Sequence, residues 1–256
     1  VFVDGPQRGV FRSKDGGKTW TSVAEDAHVD HHSVVWEPTL GPDAFWIGND
    51  GGLYLTADGG KTVRHFNSLP VGQATTIAVD DARPYNVYLG FQDNGTQVGP
   101  STHVPGRNVE EWKSIFGGDG SAIAIDPRKD RNQVYVAYQF GEHFFMDRDK
   151  LKGPVQYGPG TPDAPMRRVT PPTPKGEKTN RFNWISPIVI DPFVPDIVYI
   201  GSQRLHRSFD QGRTWKAISP DLTRDLPQAQ NPGGGDVPFS TLKDVSASPL
   251  AFGLLY

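Results

Sequence analysis

Short apolar runs recur along the chain, each closed by an acidic residue or by Pro: Ser33-Val-Val-Trp36-Glu-Pro38, Thr76-Ile-Ala-Val79-Asp80, Ala122-Ile-Ala-Ile125-Asp-Pro127 and Pro187-Ile-Val-Ile190-Asp-Pro192. A weaker copy is Asp244-Val-Ser-Ala-Ser-Pro249. Each is followed by a second run: Phe45-Trp-Ile-Gly48, Val87-Tyr-Leu-Gly90, Val134-Tyr-Val-Ala137, Val198-Tyr-Ile-Gly201 and finally Leu254-Leu-Tyr256. Runs this short, rich in Val, Ile and aromatics and bounded by turn residues, predict strands. Gly48 to Gly90 is 42 residues and Gly90 to Ala137 is 47, but Ala137 to Gly201 is 64. The excess predicts an insertion, and Leu151 to Thr179, rich in Pro and Gly, reads as a long surface loop. A second loop is expected from about Asp221 to Ser240, around Asn231-Pro-Gly-Gly-Gly235.

A polar motif recurs in parallel. Ser13-Lys-Asp15-Gly-Gly17-Lys-Thr19-Trp20 returns as Thr56-Ala-Asp58-Gly-Gly60-Lys-Thr62-Val63 and as Ser208-Phe-Asp210-Gln-Gly212-Arg-Thr214-Trp215. Asp15 and Asp58 are 43 residues apart, the length of a four-stranded propeller blade. Each position has a mechanical reading: the Asp accepts backbone N–H bonds inside a hairpin, the Gly takes positive φ, and the aromatic packs between sheets. Identical placement in successive repeats cannot converge on one site, so Asp15, Asp58 and Asp210 are read as structural, as are Ser13, Gly17, Trp20, Thr56, Gly60, Ser208, Gly212 and Trp215.

These signals predict an all-β chain: a β-propeller of four-stranded antiparallel blades, with about five blades visible in one domain over residues 1–256. Complete repeats start near His32, Thr75, Ser121 and Ser186. The chain opens late in one repeat and closes early in another. Either its two ends combine into one composite blade, or it is part of a larger propeller and of a longer polypeptide.

Composition narrows the function. Gly 29 and Pro 23 disfavour long helices, and no apolar run approaches the roughly 20 residues of a membrane-spanning helix. Lys+Arg 26 against Asp+Glu 29 gives a net charge of −3 with no basic cluster, which argues against nucleic acid as partner. With Cys 0 there is no disulfide, zinc thiolate or cysteine nucleophile. No signal-peptide pattern is read in residues 1–256, so an export address is expected to have been removed or to lie outside them.

The three polar repeats resemble Asp-box, or BNR, repeats. The wider string is similar, in order and over nearly the whole chain, to the sortilin-like BNR propeller proteins of bacteria. It includes His28-Val-Asp30-His31-His32, Gly48-Asn-Asp-Gly-Gly52-Leu-Tyr54, Asn67-Ser-Leu-Pro70-Val-Gly-Gln73, Pro84-Tyr85-Asn-Val-Tyr88, Gln92-Asp93-Asn94-Gly95, Gly117-Gly-Asp119-Gly120, Arg181-Phe-Asn-Trp184-Ile-Ser-Pro187 and Ile218-Ser-Pro-Asp-Leu-Thr223. The resemblance implies the propeller fold and a secreted or periplasmic location. Many such proteins carry the label glycosyl hydrolase.

Candidate chemistry is expected where loops lead into the innermost strands. Asp30-His31-His32, Gly117-Gly-Asp119-Gly120 and Asn183-Trp184 stand there. Asn49-Asp50 and Gln92-Asp93-Asn94 follow second strands and are expected towards the opposite rim. Asp30, His32, Asp119 and Asn183 are the candidate ligand-binding residues, with Asp119 foremost because its flanking glycines let backbone approach a ligand. Strand alternation would turn His31 and His32 apart and leave Asp30 with His32 as a weak metal pair. Asp50-Gly-Gly and Asp93-Asn-Gly offer oxygens to Ca²⁺ without a full calcium loop, and tight turns explain them more simply. Otherwise no cofactor is expected.

Two functions remain. One is a non-catalytic propeller binding a peptide or glycan through its rim and loops, with exposed aromatics such as Tyr157 making contacts. The other is a glycoside hydrolase using two carboxylates drawn from Asp30, Asp119, Asp50 and Asp93. A sialidase is disfavoured because only Arg181 stands near an inner-strand start. Gly-x-Ser-x-Gly and phosphate-loop signatures are absent, and Asn94-Gly-Thr96 matches a glycosylation acceptor by pattern alone.

Overall fold

The computed structural model describes the backbone of residues 2–4 and residues 9–66, 72–102, 112–150, 165–226 and 239–256. The chain forms two compact units, residues 1–71 and 72–256. Both are built of antiparallel meanders, the blades of a β-propeller, with no α-helix among the described residues.

In the first unit, β1 (Phe2–Asp4), β2 (Val10–Arg12) and β3 (Thr21–Val23) form sheet I, and β4 (His31–Trp36), β5 (Phe45–Asn49), β6 (Gly52–Thr56) and β7 (Arg64–His65) form sheet II. Sheet I has three strands, and the position of its polar motif between β2 and β3 matches them to the second, third and fourth strands of sheet II. Val10 and Ala24 of sheet I pack against Phe45, Ile47 and Tyr54 of sheet II.

The second unit holds three blades of four strands. Sheet III is β8 (Ala74–Val79), β9 (Asn86–Phe91), β10 (Gly95–Pro100) and β11 (Lys113–Phe116). Sheet IV is β12 (Ile123–Ile125), β13 (Gln133–Tyr138), β14 (Glu142–Asp147) and β15 (Met166–Arg168). Sheet V is β16 (Ile188–Ile190), β17 (Val198–Gly201), β18 (Leu205–Ser208) and β19 (Lys216–Ala217). Side chains alternate across sheet IV, as strand geometry requires. Val134, Val136, Phe144 and Met146 meet Tyr88, Val98 and Phe116 of sheet III. Tyr135, Ala137 and Phe145 meet Ile188, Val198 and Ile200 of sheet V. After sheet V, Ala247 bridges Leu255 in a short antiparallel pair, while β1 at the other end of the sequence pairs with β2.

The stretch expected as one long loop contains β15. Met166 and Arg167 are buried, and the Arg167 guanidinium carbon lies 3.8 Å from the Phe145 ring centroid while Nη2 donates to the Gln211 carbonyl at 2.6 Å. The strand was hidden because its second residue is a charge held on an aromatic face. Residues 151–164, Tyr157 among them, and residues 227–238 of the second expected loop lie outside the described residues.

Each polar motif closes the hairpin that leads into the last strand of its sheet. In the first copy Ser13 Oγ donates to Asp15 at 2.8 Å and accepts from the Gly17 N–H at 2.7 Å, while Asp15 accepts from the N–H groups of Lys18 (3.0 Å) and Thr19 (2.9 Å) and from the Thr19 hydroxyl at 2.7 Å. Thr56-Asp58 and Ser208-Asp210 repeat the pattern with Gly60, Thr62, Gly212 and Thr214. The aromatic position varies. Trp215 packs against the core between sheets IV and V. Both indoles donate back to their own turn, Trp20 to the Gly17 carbonyl at 3.1 Å and Trp215 to the Gly212 carbonyl at 3.2 Å, but Trp20 is 40% exposed and does not fill a space between sheets as expected.

Candidate functional site

In an antiparallel meander the connection into a first strand and the turn from second to third strand fall at the same end. Asp50 and Asp93 therefore stand beside the inner-strand starts and not at the opposite rim. Call this the leading end; the polar hairpins close the trailing end.

At the leading end of sheet II the Asp50 N–H donates to the Asp30 carbonyl at 3.3 Å, and His32 Nε2 meets the Asp50 carboxylate. Asn49 Nδ2 donates to the His28 carbonyl at 2.7 Å, and the His65 ring stacks on Tyr54 with centroids 4.3 Å apart. Four of the seven histidines, His28, His31, His32 and His65, gather on this sheet end. Asp30 has φ +59, and a bulge between His31 and Ser33 breaks the alternation of β4. The bulge buries His31 and leaves His32 and Asp30 exposed. A carboxylate oxygen of Asp30 lies within 4.8 Å of one of Asp50. Asp30 and His32, both exposed, and the half-buried Asp50 thus form one group, brought together by a bulge and a turn.

In the second unit the leading end is tied together mainly by backbone. The Gly95 N–H donates to the Gly118 carbonyl at 2.9 Å and the Gly120 N–H to the Phe91 carbonyl at 2.8 Å. The Thr75 hydroxyl donates to the Gly120 carbonyl at 2.7 Å. A Cβ on Gly120 would stand 2.2 Å from the Gly95 carbonyl oxygen. The glycines around Asp119 therefore let one strand connection press on its neighbouring turn, where the sequence suggested room for a ligand. Asp119 is buried, and its carboxylate accepts the Asp93 N–H at 3.0 Å while its own N–H reaches Gln139 Oε1 at 3.4 Å. Asn183 is half-buried and donates from Nδ2 to Thr241 at 3.0 Å. No bond joins Asp119 to Asn183 among the described residues.

Sequence reading overlooked an ion-pair cluster behind Asn183. The Arg181 guanidinium reaches Asp221 at 2.7 Å and Asp225 at 3.2 Å, and the Arg181 N–H donates to the buried Gln203 side chain at 2.8 Å. Its signal was present in Arg181 and in Ile218-Ser-Pro-Asp-Leu-Thr223. A cleft of about 500 Å³ at the trailing end, between the first hairpin turns of sheets III and IV, was also missed. No motif marks it, because its lining comes from two repeats.

The polar-motif aspartates fit a structural role. The Thr19 hydroxyl and N–H, with Ser13, hold Asp15 ionised down to about pH 2. Asp58 is held below the ordinary carboxylate range by Thr62 and Thr56. Part-burial opposes the effect at Asp210, yet Thr214 and Ser208 still keep it low.

No protein-family model matches the sequence. No curated protein matches it. No helix among the described residues is long and apolar enough to cross a membrane. Solved structures are similar at low identity. An ancestral GH74 enzyme is 14% identical with a TM-score of 0.41, over 86% of this chain and 25% of that one. YCF48 bound to D1 peptide is 14% identical with a TM-score of 0.37, over 82% and 61%. The GH74 xyloglucanase from Xanthomonas campestris is 15% identical with a TM-score of 0.24, over 90% and 29%. The chain therefore spans a quarter to three fifths of the lengths of these proteins, and it is similar to them without a family being shown.

Proposed function

We propose that this chain is an extracytoplasmic binding propeller that takes a peptide or glycan at its leading end. The observation that carries the reading is the group of exposed Asp30 and His32 with half-buried Asp50, whose donors and acceptors are fixed by a bulge and a turn. Fixed polar groups of this kind orient a ligand at little entropic cost. In the second unit Asp119 is the buried acceptor that sets the Asp93 turn. A glycan and peptide array probed with the parent chain and with Asp30→Asn and His32→Ala tests the reading. Hits lost in both variants support it. Hits that both variants retain place the site elsewhere.

A glycoside hydrolase is the second reading, favoured by the short Asp30 to Asp50 approach. Retaining enzymes hold their two carboxyl groups roughly 5–5.5 Å apart, and carboxylate oxygens of this pair lie within 4.8 Å. Hydrolysis of an array hit by the parent, abolished in Asp30→Asn and Asp50→Asn, would establish it. Binding without turnover leaves the first reading standing.

A further inference from the structure

The trailing-end cleft carries a ligand chemistry of its own. It shares Asp80, Asp81, Ala82 and Lys129 with an adjoining hollow of about 530 Å³, so the two make one groove across the first hairpin turns of sheets III and IV. Planar polar groups line it. Asn132 Nδ2 donates to Asp149 at 3.0 Å, and its Oδ1 accepts from Arg148 Nη1 at 3.3 Å. The same Nη1 donates to the Tyr88 hydroxyl at 2.5 Å, which in turn reaches Asp80 at 3.3 Å. The Arg148 guanidinium carbon lies 5.4 Å from the Tyr88 ring centroid, so the fork is held by a buried aromatic.

Neither Nε nor Nη2 of Arg148 takes part in these bonds, and no carboxylate pairs with it among the described residues. Arg128, by contrast, is tied to Asp126 and Asp196. At the outer end of the groove Tyr85 is 49% exposed. Five aspartates and four basic side chains line the main cleft, so it favours neither a strong anion nor a strong cation.

A neutral molecule whose hydroxyls both donate and accept fits this lining. Vicinal hydroxyls can bridge the paired atoms of an amide, a carboxylate or a guanidinium, and an exposed tyrosine offers a flat face to the C–H side of a pyranose ring. We propose that the groove formed by Tyr85, Asn132, Arg148 and Asp149 binds a neutral oligosaccharide, as a second site separate from Asp30, His32 and Asp50. The proposal rests on the groove alone and stands or falls independently of the leading-end reading.

Titration calorimetry with cellohexaose, xylohexaose, laminarihexaose, mannohexaose and chitohexaose tests it, with hexagalacturonate as the acidic competitor. At least one neutral hexasaccharide is expected to bind, with affinity reduced tenfold or more by Tyr85→Ala and by Asn132→Ala. Hydrogen exchange on the parent chain gives a readout that needs no variant, with protection expected in residues 80–88 and 126–133. The proposal is overturned if no neutral hexasaccharide binds at millimolar concentration, if the acidic one binds tighter, or if protection falls at residues 28–32 and 49–52 instead. Affinity unchanged in both groove variants also overturns it.

Discussion

Tyr199 donates its hydroxyl to the Asp191 carboxylate at 3.0 Å, joining the end of β16 to β17 across their hairpin. Equivalent positions repeat the bond: Tyr88 reaches Asp80 at 3.3 Å, and Trp46 donates from Nε1 to Glu37 at 3.1 Å. In sheet IV it is missing. Arg128 occupies Asp126 from Nε, Nη2 and its backbone N–H, and the buried Tyr135 hydroxyl has no partner among the described residues.

Removing one oxygen should therefore act oppositely at equivalent sites. Tyr199→Phe strands a buried carboxylate oxygen and is expected to cost about 1–3 kcal/mol. Tyr135→Phe removes an unpaired buried hydroxyl and is expected to be neutral or stabilising by about 1 kcal/mol. Urea unfolding of the two variants checks this, and equal losses would contradict it.

Stability should fall in two stages with acid. Burial holds His143 neutral with its pKa lowered to about 4, and burial with the Arg204 charge does the same at His206. Their unfolded forms take up protons first, so the stability these rings contribute is complete above roughly pH 6.5 and is lost as pH falls towards 4. Asp15, lowered to about 2, and the low Asp210 contribute stability present above roughly pH 4 and lost below it. Unfolding free energy measured from pH 7 to pH 2 should show both slopes. His206→Asn should flatten the upper one, and Asp210→Asn the lower.

Asp119 and Gly120 separate architecture from binding. Gly120→Ala drives a Cβ into the Gly95 carbonyl and is expected to cost about 3 kcal/mol or more. Asp119→Asn keeps an oxygen for the Asp93 N–H and should cost under about 1 kcal/mol. If Asp119→Asn leaves melting intact yet abolishes binding of an array hit, its charge contacts ligand directly. Binding equal to the parent confines it to the turn.

The Asp210 hairpin gives a local test. Asp210→Ala removes acceptors from the Thr214 N–H and hydroxyl and from Ser208, and is expected to destabilise by about 1–2 kcal/mol. Because the hairpin belongs to sheet V and Asp30 and His32 to sheet II, ligand affinity at Asp30 and His32 should not change. A thermal melt matching the parent would refute the structural role.

The strands were legible because apolar runs and the recurring polar turns are local signals. Repeats starting near His32, Thr75, Ser121 and Ser186 fall within a few residues of β4, β8, β12 and β16. Three things were not legible. The bulge at His32 cancels the alternation from which its facing was argued, and bulges leave no hydrophobic trace. β15 escaped because Arg167 reads as polar while lying buried on Phe145. The glycines beside Asp119 looked like room for a ligand, but the space is filled by the backbone of the neighbouring turn at Gly95. Long-range partners decide all three, and no window of sequence contains them.

The two faces of β13 serve different cores, Val134 and Val136 on one side and Tyr135 and Ala137 on the other. A slip of one residue in its pairing would exchange every side chain between those cores. Sheet IV thus works as a keystone, since its register is proofread from both sides at once. Loosening it would strip cover from sheets III and V together, so the larger unit should melt in one cooperative step with a single denaturant slope, and a blade-by-blade staircase is not expected.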